Sequence, residues 1–147
     1  MSEYKRKTPV GILKQLETDY DLDIVEDFLT HFDFMSSSLD PLIINLSKKE
    51  VCSGNLDEIF RIFHNIKSAA GFLKLEPLIK LATLCENILD EAKNQKDENS
   101  EASDEFIDWL LLVADQVETY RADIENDELY FHILNPKIIN MPKRFFS

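Results

Sequence analysis

The sequence predicts an all-α fold, an antiparallel four-helix bundle with a short N-terminal helix and an irregular C-terminal tail. Three observations predict it. Apolar residues recur at alternating steps of three and four along four long segments, short connections separate these segments, and 147 residues at 44% hydrophobic composition suit one domain with a substantial core. We expect an extension over residues 1–20, the bundle over 21–126 and the tail over 127–147.

The first predicted helix has an apolar stripe that continues without a break through Pro41. Proline lacks a backbone N–H and clashes with the preceding turn, so we expect a kink near Ser37 to Asp40. Alternatively, Pro41 starts a new helix with Asp40 as its cap. The stripe consists of Val25, Phe28, Phe32, Met35, Leu39, Leu42 and Leu46.

The second predicted helix opens at Asn55, after a turn marked by Gly54 and Asn55. Asn55 is a suitable N-cap, and Glu58 three residues later completes an arrangement similar to a capping box. We expect this helix to end at about Gly71. Its apolar stripe consists of Leu56, Ile59, Phe63, Ile66 and Ala70.

The third and fourth predicted helices are separated by residues 94–103, a polar stretch that we expect to be a solvated loop. The third begins near Pro77, a favourable first helical residue, and the fourth begins after Ser103 with Asp104 and Glu105 in its first turn. The stripes are Leu78, Leu81, Cys85, Ile88 and Ala92 in the third helix and Phe106, Leu110, Val113, Val117, Tyr120 and Ile124 in the fourth.

Two segments flank the predicted bundle. Residues 9–17 have the apolar spacing of a short helix, which we expect to cover one end of the core. The tail from Glu128 to Ser147 contains two prolines, several aromatic residues and three basic residues, so it is neither a regular helix nor a typical disordered segment. We interpret it as an apolar strap over the core, with docking of a partner as the alternative.

Composition excludes several classes of function. Asp and Glu number 28 against 16 Lys and Arg, and the resulting net charge of −12 repels nucleic acid and anionic membrane surfaces. No stretch reaches the about 18 apolar residues of a membrane span, so we expect a soluble protein that is not exported. We also expect a monomer in the cytoplasm. Cys52 and Cys85 lack CxxC spacing, which fits a reducing compartment, and Cys85 is expected to be a buried free thiol.

Nucleotide and metal sites are not indicated either. The three glycines, Gly11, Gly54 and Gly71, lie too far apart to form a phosphate-binding loop, and no helix has the E-x-x-H pair of a metal-binding bundle. Any phosphoryl group therefore arrives on another protein and not from ATP bound to this chain.

The most informative feature is the face that the second helix is expected to expose. At about 100° per residue, His64, Lys67, Ser68 and Gly71 share one side of this helix, roughly 110° from its apolar stripe. The histidine therefore lies beside the core and not inside it. There it can meet another protein and receive a phosphoryl group.

These residues resemble the signature of histidine-containing phosphotransfer domains. The segment F-R-I-F-H-N-I-K-S-A-A-G-F-L over residues 60–73 contains the family pattern H-x-x-K-[GS]-x-x-G. The segment E-N-I-L-D over residues 86–90 is similar to E-N-L-L-D in the phosphoacceptor domain of chemotaxis histidine kinases. The resemblance covers about residues 20–126 and implies that His64 accepts a phosphoryl group, with Lys67 beside it, Ser68 and Gly71 lining the site, and Glu86 in contact with the imidazole.

Physical chemistry supports each implied role. A histidine is largely neutral at pH 7, and a neutral ring nitrogen is a nucleophile toward phosphorus, so His64 needs no dedicated base. Glu86 would fix the tautomer and stabilise the positive charge that grows on the ring. Lys67 would neutralise phosphoryl oxygens, and Ser68 would bond one of them or simply fit. Gly71 costs about 1 kcal/mol in a helix interior, which an approaching partner would justify.

Other predictions concern partners and the remaining histidines. By angle, Arg61, Asn65 and Phe72 lie with Ser68 near the histidine face and form the expected docking patch for a response-regulator receiver domain or a histidine kinase. The Mg²⁺ that such transfer requires is expected on the partner's carboxylates, and no cofactor is expected on this chain. His31 and His132 are interpreted as ordinary surface or packing residues.

The sequence leaves three functional interpretations open. The chain is a separate relay that passes a phosphoryl group between receiver aspartates, or the phosphoacceptor substrate of a histidine kinase, or a non-catalytic adaptor with the same partner contacts. The Glu86-Asn87 segment favours the kinase substrate, whereas a chain that begins at Met1 and ends soon after the bundle favours the separate relay, which we prefer. In either phosphotransfer case, the chain is a covalent phosphoryl carrier and not a kinase.

Overall fold

The computed structural model of the chain describes residues 9–147, so residues 1–8 of the predicted extension lie outside the described part. Five α-helices follow one another: α1 (Ile12–Asp19), α2 (Leu22–Ile44), α3 (Lys49–Leu73), α4 (Glu76–Gln95) and α5 (Asp104–Glu125). Short 3-10 turns lie at Asn45–Ser47 and Pro136–Ile139. The all-α prediction is confirmed.

Helices α2 to α5 form the bundle. Helix α2 contacts α3 and α5, and α4 contacts the same two helices, so the four close a ring around one core. Polar pairs show that α3 and α4 run antiparallel, since Asp57 and His64 of α3 meet Lys93 and Glu86 of α4 in reverse order. This register brings the middle of α3 against the middle of α4.

The predicted stripes line the core. Every stripe residue of α3, α4 and α5 is buried, and Phe32, Phe63 and Phe106 are among the largest side chains that solvent does not reach. In α2, Met35 and Leu42 are only partly buried. Burying these apolar faces against one another is the main source of helix stability in such a bundle.

Helix α2 continues through Pro41 as one element, so the alternative in which a new helix starts there is wrong. Ile43, not Leu42, is fully buried after the proline. The hydroxyls of Ser37 and Ser38 donate to the carbonyl of Phe34 at 3.0 and 2.8 Å, one turn earlier. The kink near Ser37 to Asp40 stays a prediction.

Helix α3 begins at Lys49, six residues before the predicted start, so Asn55 does not cap it. Cys52 is 1% exposed and extends the buried face backwards, and this packing outweighs the local turn signal at Gly54. The Nδ2 of Asn55 donates instead to the carbonyl of Leu42 at 3.0 Å and ties α3 to α2.

The other helix boundaries agree with the sequence. Helix α4 starts beside Pro77, and Ser103 caps α5 by accepting the backbone N–H of Phe106 at 3.1 Å. Helix α1 confirms a short N-terminal helix and buries Leu16. Its first backbone N–H, on Ile12, donates to the carbonyl of Glu128 at 2.8 Å, which joins the two flanks of the bundle.

The tail packs on the bundle, as the strap interpretation predicts. Ile138 and Phe145 are buried, and the indole N–H of Trp109 donates to the carbonyl of Ile138 at 2.9 Å. The rings of Phe145 and Phe146 lie 5.1 and 6.3 Å from that of Phe106. The tail therefore belongs to the core of this end of the molecule.

No helix within residues 9–147 combines the length and the apolar character that a membrane crossing needs.

Candidate phosphoacceptor site

His64 lies on the outward face of α3, beside the buried face that includes Phe63 and Ile66. Its side chain is 55% exposed. The predicted relation between the histidine face and the apolar stripe is therefore present in the folded chain, and a partner can reach the imidazole without any rearrangement of the core.

Glu86 of α4 holds the imidazole from the core side. Its Oε1 lies 2.8 Å from Nδ1 of His64, and its side chain is only 8% exposed. An ionised carboxylate only accepts hydrogen bonds, so this contact places the ring proton on Nδ1 and leaves Nε2 with a free electron pair. Nε2 is thus the nitrogen suited to attack.

Lys67 bonds the second carboxylate oxygen, Oε2, of the same Glu86. A nearly buried carboxylate is costly unless it is paired, and here a ring N–H and an ammonium satisfy both oxygens. In this arrangement Lys67 neutralises Glu86, and Glu86 in turn orients His64. The structure thus brings together the three residues to which the sequence assigns phosphoryl chemistry.

The residues predicted to line the site, Ser68 and Gly71, are exposed on the same side of α3. A Cβ built on Gly71 would meet no atom within 4 Å, so the fold itself does not require glycine there. Both residues leave the surface beyond Lys67 open to a partner.

The predicted docking patch is divided between two concave surfaces. Asn65 and Phe72 line an apolar groove of about 410 Å³ between α2 and α3, and Phe72 is 61% exposed. Arg61 instead lines a cavity with His64 and with Lys93 of α4, and it pairs at 3.3 Å with Glu58, which lines a different cavity that faces α2.

Two residues that sequence reasoning missed line the cavity on the α4 side of the imidazole. The ring of Phe60, one turn before His64, is nearly parallel to the imidazole, with centroids 6.4 Å apart. The ammonium of Lys93 lies 4.7 Å from the centre of the Phe60 ring and 3.1 Å from Asp57. Lys93 follows Glu86 by two helical turns, a spacing that would have placed both on one face of α4.

The cysteine next to the site does not compete as a nucleophile. Burial raises the pKa of the Cys85 thiol well above its ordinary value, and the charge of Glu86 adds to this effect. Cys85 is fully buried, as its apolar stripe predicts, and stays protonated.

The other two histidines make different contacts. Nδ1 of His31 lies 2.9 Å from the carbonyl of Asp27 in its own helix. His132 in the tail lies 2.6 Å from the carboxylate of Asp123, whose side chain is 3% exposed. No local sequence signal indicates this second pair, since its two members belong to α5 and to an irregular tail.

A concentration of three or more potential metal ligands among His, Cys, Asp and Glu does not occur within residues 9–147. The site contains an imidazole, two carboxylates and three cations, a set that suits an anionic group better than a metal ion. The carboxylates are Asp57 and Glu86, and the cations are Arg61, Lys67 and Lys93.

Comparison with known proteins gives a family match over the bundle. The sequence model of the Hpt domain matches residues 22–124, nearly the whole bundle. The chain is also similar to the chemotaxis protein CheA of Salmonella typhimurium strain LT2, with 25% identity over 113 residues, or 76% of this chain. The chain spans 17% of the length of that relative. No solved structure gives a significant match.

Proposed function

Because the chain belongs to the Hpt family of phosphotransfer signalling domains, we propose that His64 carries a phosphoryl group to the receiver aspartate of a response regulator. The donor is a histidine kinase or the phosphorylated aspartate of another receiver. The observation that carries the proposal is that one nearly buried carboxylate, Glu86, accepts from both Nδ1 of His64 and the ammonium of Lys67, which leaves Nε2 as the nucleophile next to a cation.

The transfer step balances without a base from this chain. Nε2 of His64 attacks phosphorus as the bond from phosphorus to the donor's aspartate oxygen breaks, and the aspartate leaves as a carboxylate. The proton on Nδ1 stays in place, so the ring gains positive charge beside Glu86. The carboxylate stabilises that charge, and the reverse step returns the ring to neutrality when the phosphoryl group moves on.

The partner proteins supply the metal ion and the nucleotide. We assign the Mg²⁺ of the transfer step to carboxylates of the receiver domain, and ATP to the kinase that begins the sequence of transfers. This chain then acts as a covalent carrier and not as a kinase. We expect it to work in the cytoplasm, together with the receivers it serves.

The test is transfer from phosphorylated receiver domains and from active histidine kinases to the purified chain. We expect an acid-labile, alkali-stable label that disappears in His64→Gln. The matched controls His31→Gln and His132→Gln retain at least half of the label. A label that persists in His64→Gln would contradict the proposal. Binding to receivers without any label across a broad panel of donors would favour a non-catalytic adaptor.

A further inference from the structure

We infer that the cavity on the α4 side of His64 binds the phosphoryl group and that Arg61 and Lys93 contact its oxygens. This inference rests on the proposed function. The cavity measures about 320 Å³ and is lined by five residues. These are Asp57, Phe60, Arg61, His64 and Lys93.

The cation predicted from the sequence to bind the phosphoryl group is already engaged. Lys67 bonds Glu86, a carboxylate that is only 8% exposed. If Lys67 turned outward to a phosphoryl group, the nearly buried Glu86 would keep the imidazole as its single charged partner, and uncompensated burial of a carboxylate is costly. Lys67 is therefore better placed to support Glu86 than to hold the phosphoryl oxygens.

The geometry of α3 directs the imidazole toward the cavity. Side chains on a helix lean toward its N-terminus, and the ring of His64 accordingly lies alongside Phe60, one turn earlier. With Nδ1 occupied by Glu86, Nε2 is the nitrogen through which a phosphoryl group enters the space lined by Arg61 and Lys93. Phe60 lines the same cavity, and its ring is nearly parallel to the imidazole.

Both cations are free to change partners at low cost. Lys93 pairs with Asp57, and Arg61 pairs with Glu58, and both carboxylates are about half exposed. Such pairs are worth roughly 0–1 kcal/mol, because water screens them. A phosphoryl group has up to about two negative charges and three acceptor oxygens, so it competes well for an ammonium and a guanidinium. The two cations then lie on helices α3 and α4, on either side of the group.

The experiment uses the whole chain, phosphorylated on His64 by phosphoramidate, a small donor that needs no docking surface. The proton affinity of the bound phosphoryl group is measured by a ³¹P NMR pH titration in wild type, Lys93→Met, Arg61→Met and the double variant. The resonance is assigned by its loss in His64→Gln. The charged groups that line the cavity are Asp57 and Arg61 from α3 and Lys93 from α4. Glu58 pairs with Arg61, and the pair of Lys67 and Glu86 lies next to His64.

Removing a cation should raise the proton affinity of the phosphoryl group, by about threefold in each single variant and by about tenfold in the double variant. These factors are what Coulomb's law gives for unit charges roughly 5–6 Å away in a water-like medium. Lys93→Arg should restore the wild-type value. Asp57→Asn, which releases Lys93 from its ion pair, should lower the proton affinity. Lys80→Met, which removes an exposed lysine elsewhere on α4, is the matched control and should change nothing.

The outcomes separate this inference from the proposed function. If His64 is phosphorylated but Lys93→Met and Arg61→Met titrate as Lys80→Met does, the cavity does not hold the phosphoryl group, and the inference is wrong while the proposed function stands. If wild type takes no phosphoryl group on His64, the proposed function is wrong and the inference fails with it. Circular dichroism of each variant shows whether the bundle remains folded.

Discussion

Two histidine–carboxylate pairs lie on this bundle, and they differ in what else each carboxylate holds. Glu86 accepts from the ring of His64 with one oxygen and from the ammonium of Lys67 with the other. Asp123 accepts from the ring of His132 and, at 2.8 Å, from the backbone N–H of the same residue. Glu86 thus accepts hydrogen bonds from two side chains of helix α3, whereas Asp123 accepts from the side chain and the backbone of a single residue in the irregular tail.

Exposure does not distinguish the two pairs. The imidazoles are 55% and 66% exposed, and the carboxylates are 8% and 3% exposed. Both arrangements place the proton on Nδ1 and leave Nε2 as the unprotonated nitrogen. A histidine held by a buried carboxylate is therefore insufficient to identify a phosphoacceptor.

The surrounding charges do distinguish them. The cavity next to His64 is lined by Arg61 and Lys93 against a single carboxylate, whereas the cavity of about 450 Å³ next to His132 is lined by one lysine and one glutamate. An incoming dianion gains from the first set and gains little from the second. The comparison teaches that the cations next to the imidazole, and not the pair itself, indicate a phosphoryl site.

The largest effect that separates the two pairs is expected from Asp123→Ala. This change removes a nearly buried acceptor of two hydrogen bonds and should lower the free energy of unfolding by about 2–3 kcal/mol. Transfer to His64 should stay within twofold of wild type. Urea unfolding and the rate of labelling measure the two quantities, and Asp115→Ala at an exposed position of α5 is the matched control. A tenfold slower transfer in folded Asp123→Ala would show that the second pair also serves the reaction.

The reciprocal change at the first pair, Glu86→Gln, should affect chemistry more than stability. Glutamine still offers an oxygen to Nδ1 but lacks the charge that stabilises a positive ring. We expect labelling to slow by about 10–30-fold, which corresponds to about 1.4–2 kcal/mol of barrier. Glu91→Gln, exposed on the same helix, controls for the loss of one charge. A labelling rate within twofold of wild type would contradict the proposal that the charge of Glu86 stabilises the positive ring.

The difference between the two pairs also shows where sequence reasoning succeeds. The period of three and four fixes which side of each helix is buried, so the exposure of His64 follows from the stripe that includes Phe63. The contact with Glu86 is implied by family resemblance alone, because periodicity does not fix the register between two helices. Once α3 and α4 pack antiparallel, that register also brings Lys67 to Glu86.

Sequence reasoning fails where tertiary packing decides. The turn signal at Gly54 and Asn55 is local, and the buried contacts of Cys52 outweigh it, so α3 starts earlier than predicted. The pair of Asp123 and His132 depends on the path of an irregular tail, which has no period to analyse. The ammonium of Lys93 lies over the ring of Phe60, which belongs to another helix, so the sequence of α4 alone does not indicate its position.

A smaller effect is expected from Lys67→Met, which tests whether the ammonium acts through Glu86. Without it, one oxygen of a nearly buried carboxylate loses its partner, and the hold on His64 weakens. We expect labelling to slow by about three- to tenfold. Measuring the rate in Glu86→Gln and in the double variant isolates the coupling, because a lysine that acts only through Glu86 has no further effect once that charge is absent. Lys49→Met, exposed at the start of the same helix, is the control, and full additivity would contradict this role.

The smallest effect is expected from His132→Gln, which separates the contributions of the two hydrogen bonds that Asp123 accepts. Glutamine removes the ring but keeps the backbone N–H that donates to Asp123, so the tail remains attached at this point. We expect the free energy of unfolding to fall by about 0.5–1 kcal/mol, well below the loss in Asp123→Ala, with labelling of His64 unchanged. Urea unfolding of the two variants side by side measures the difference. If His132→Gln lost as much stability as Asp123→Ala, the ring and not the backbone N–H would attach the tail to Asp123. The two pairs would then not differ in the way proposed, with Glu86 orienting an imidazole and Asp123 anchoring the backbone.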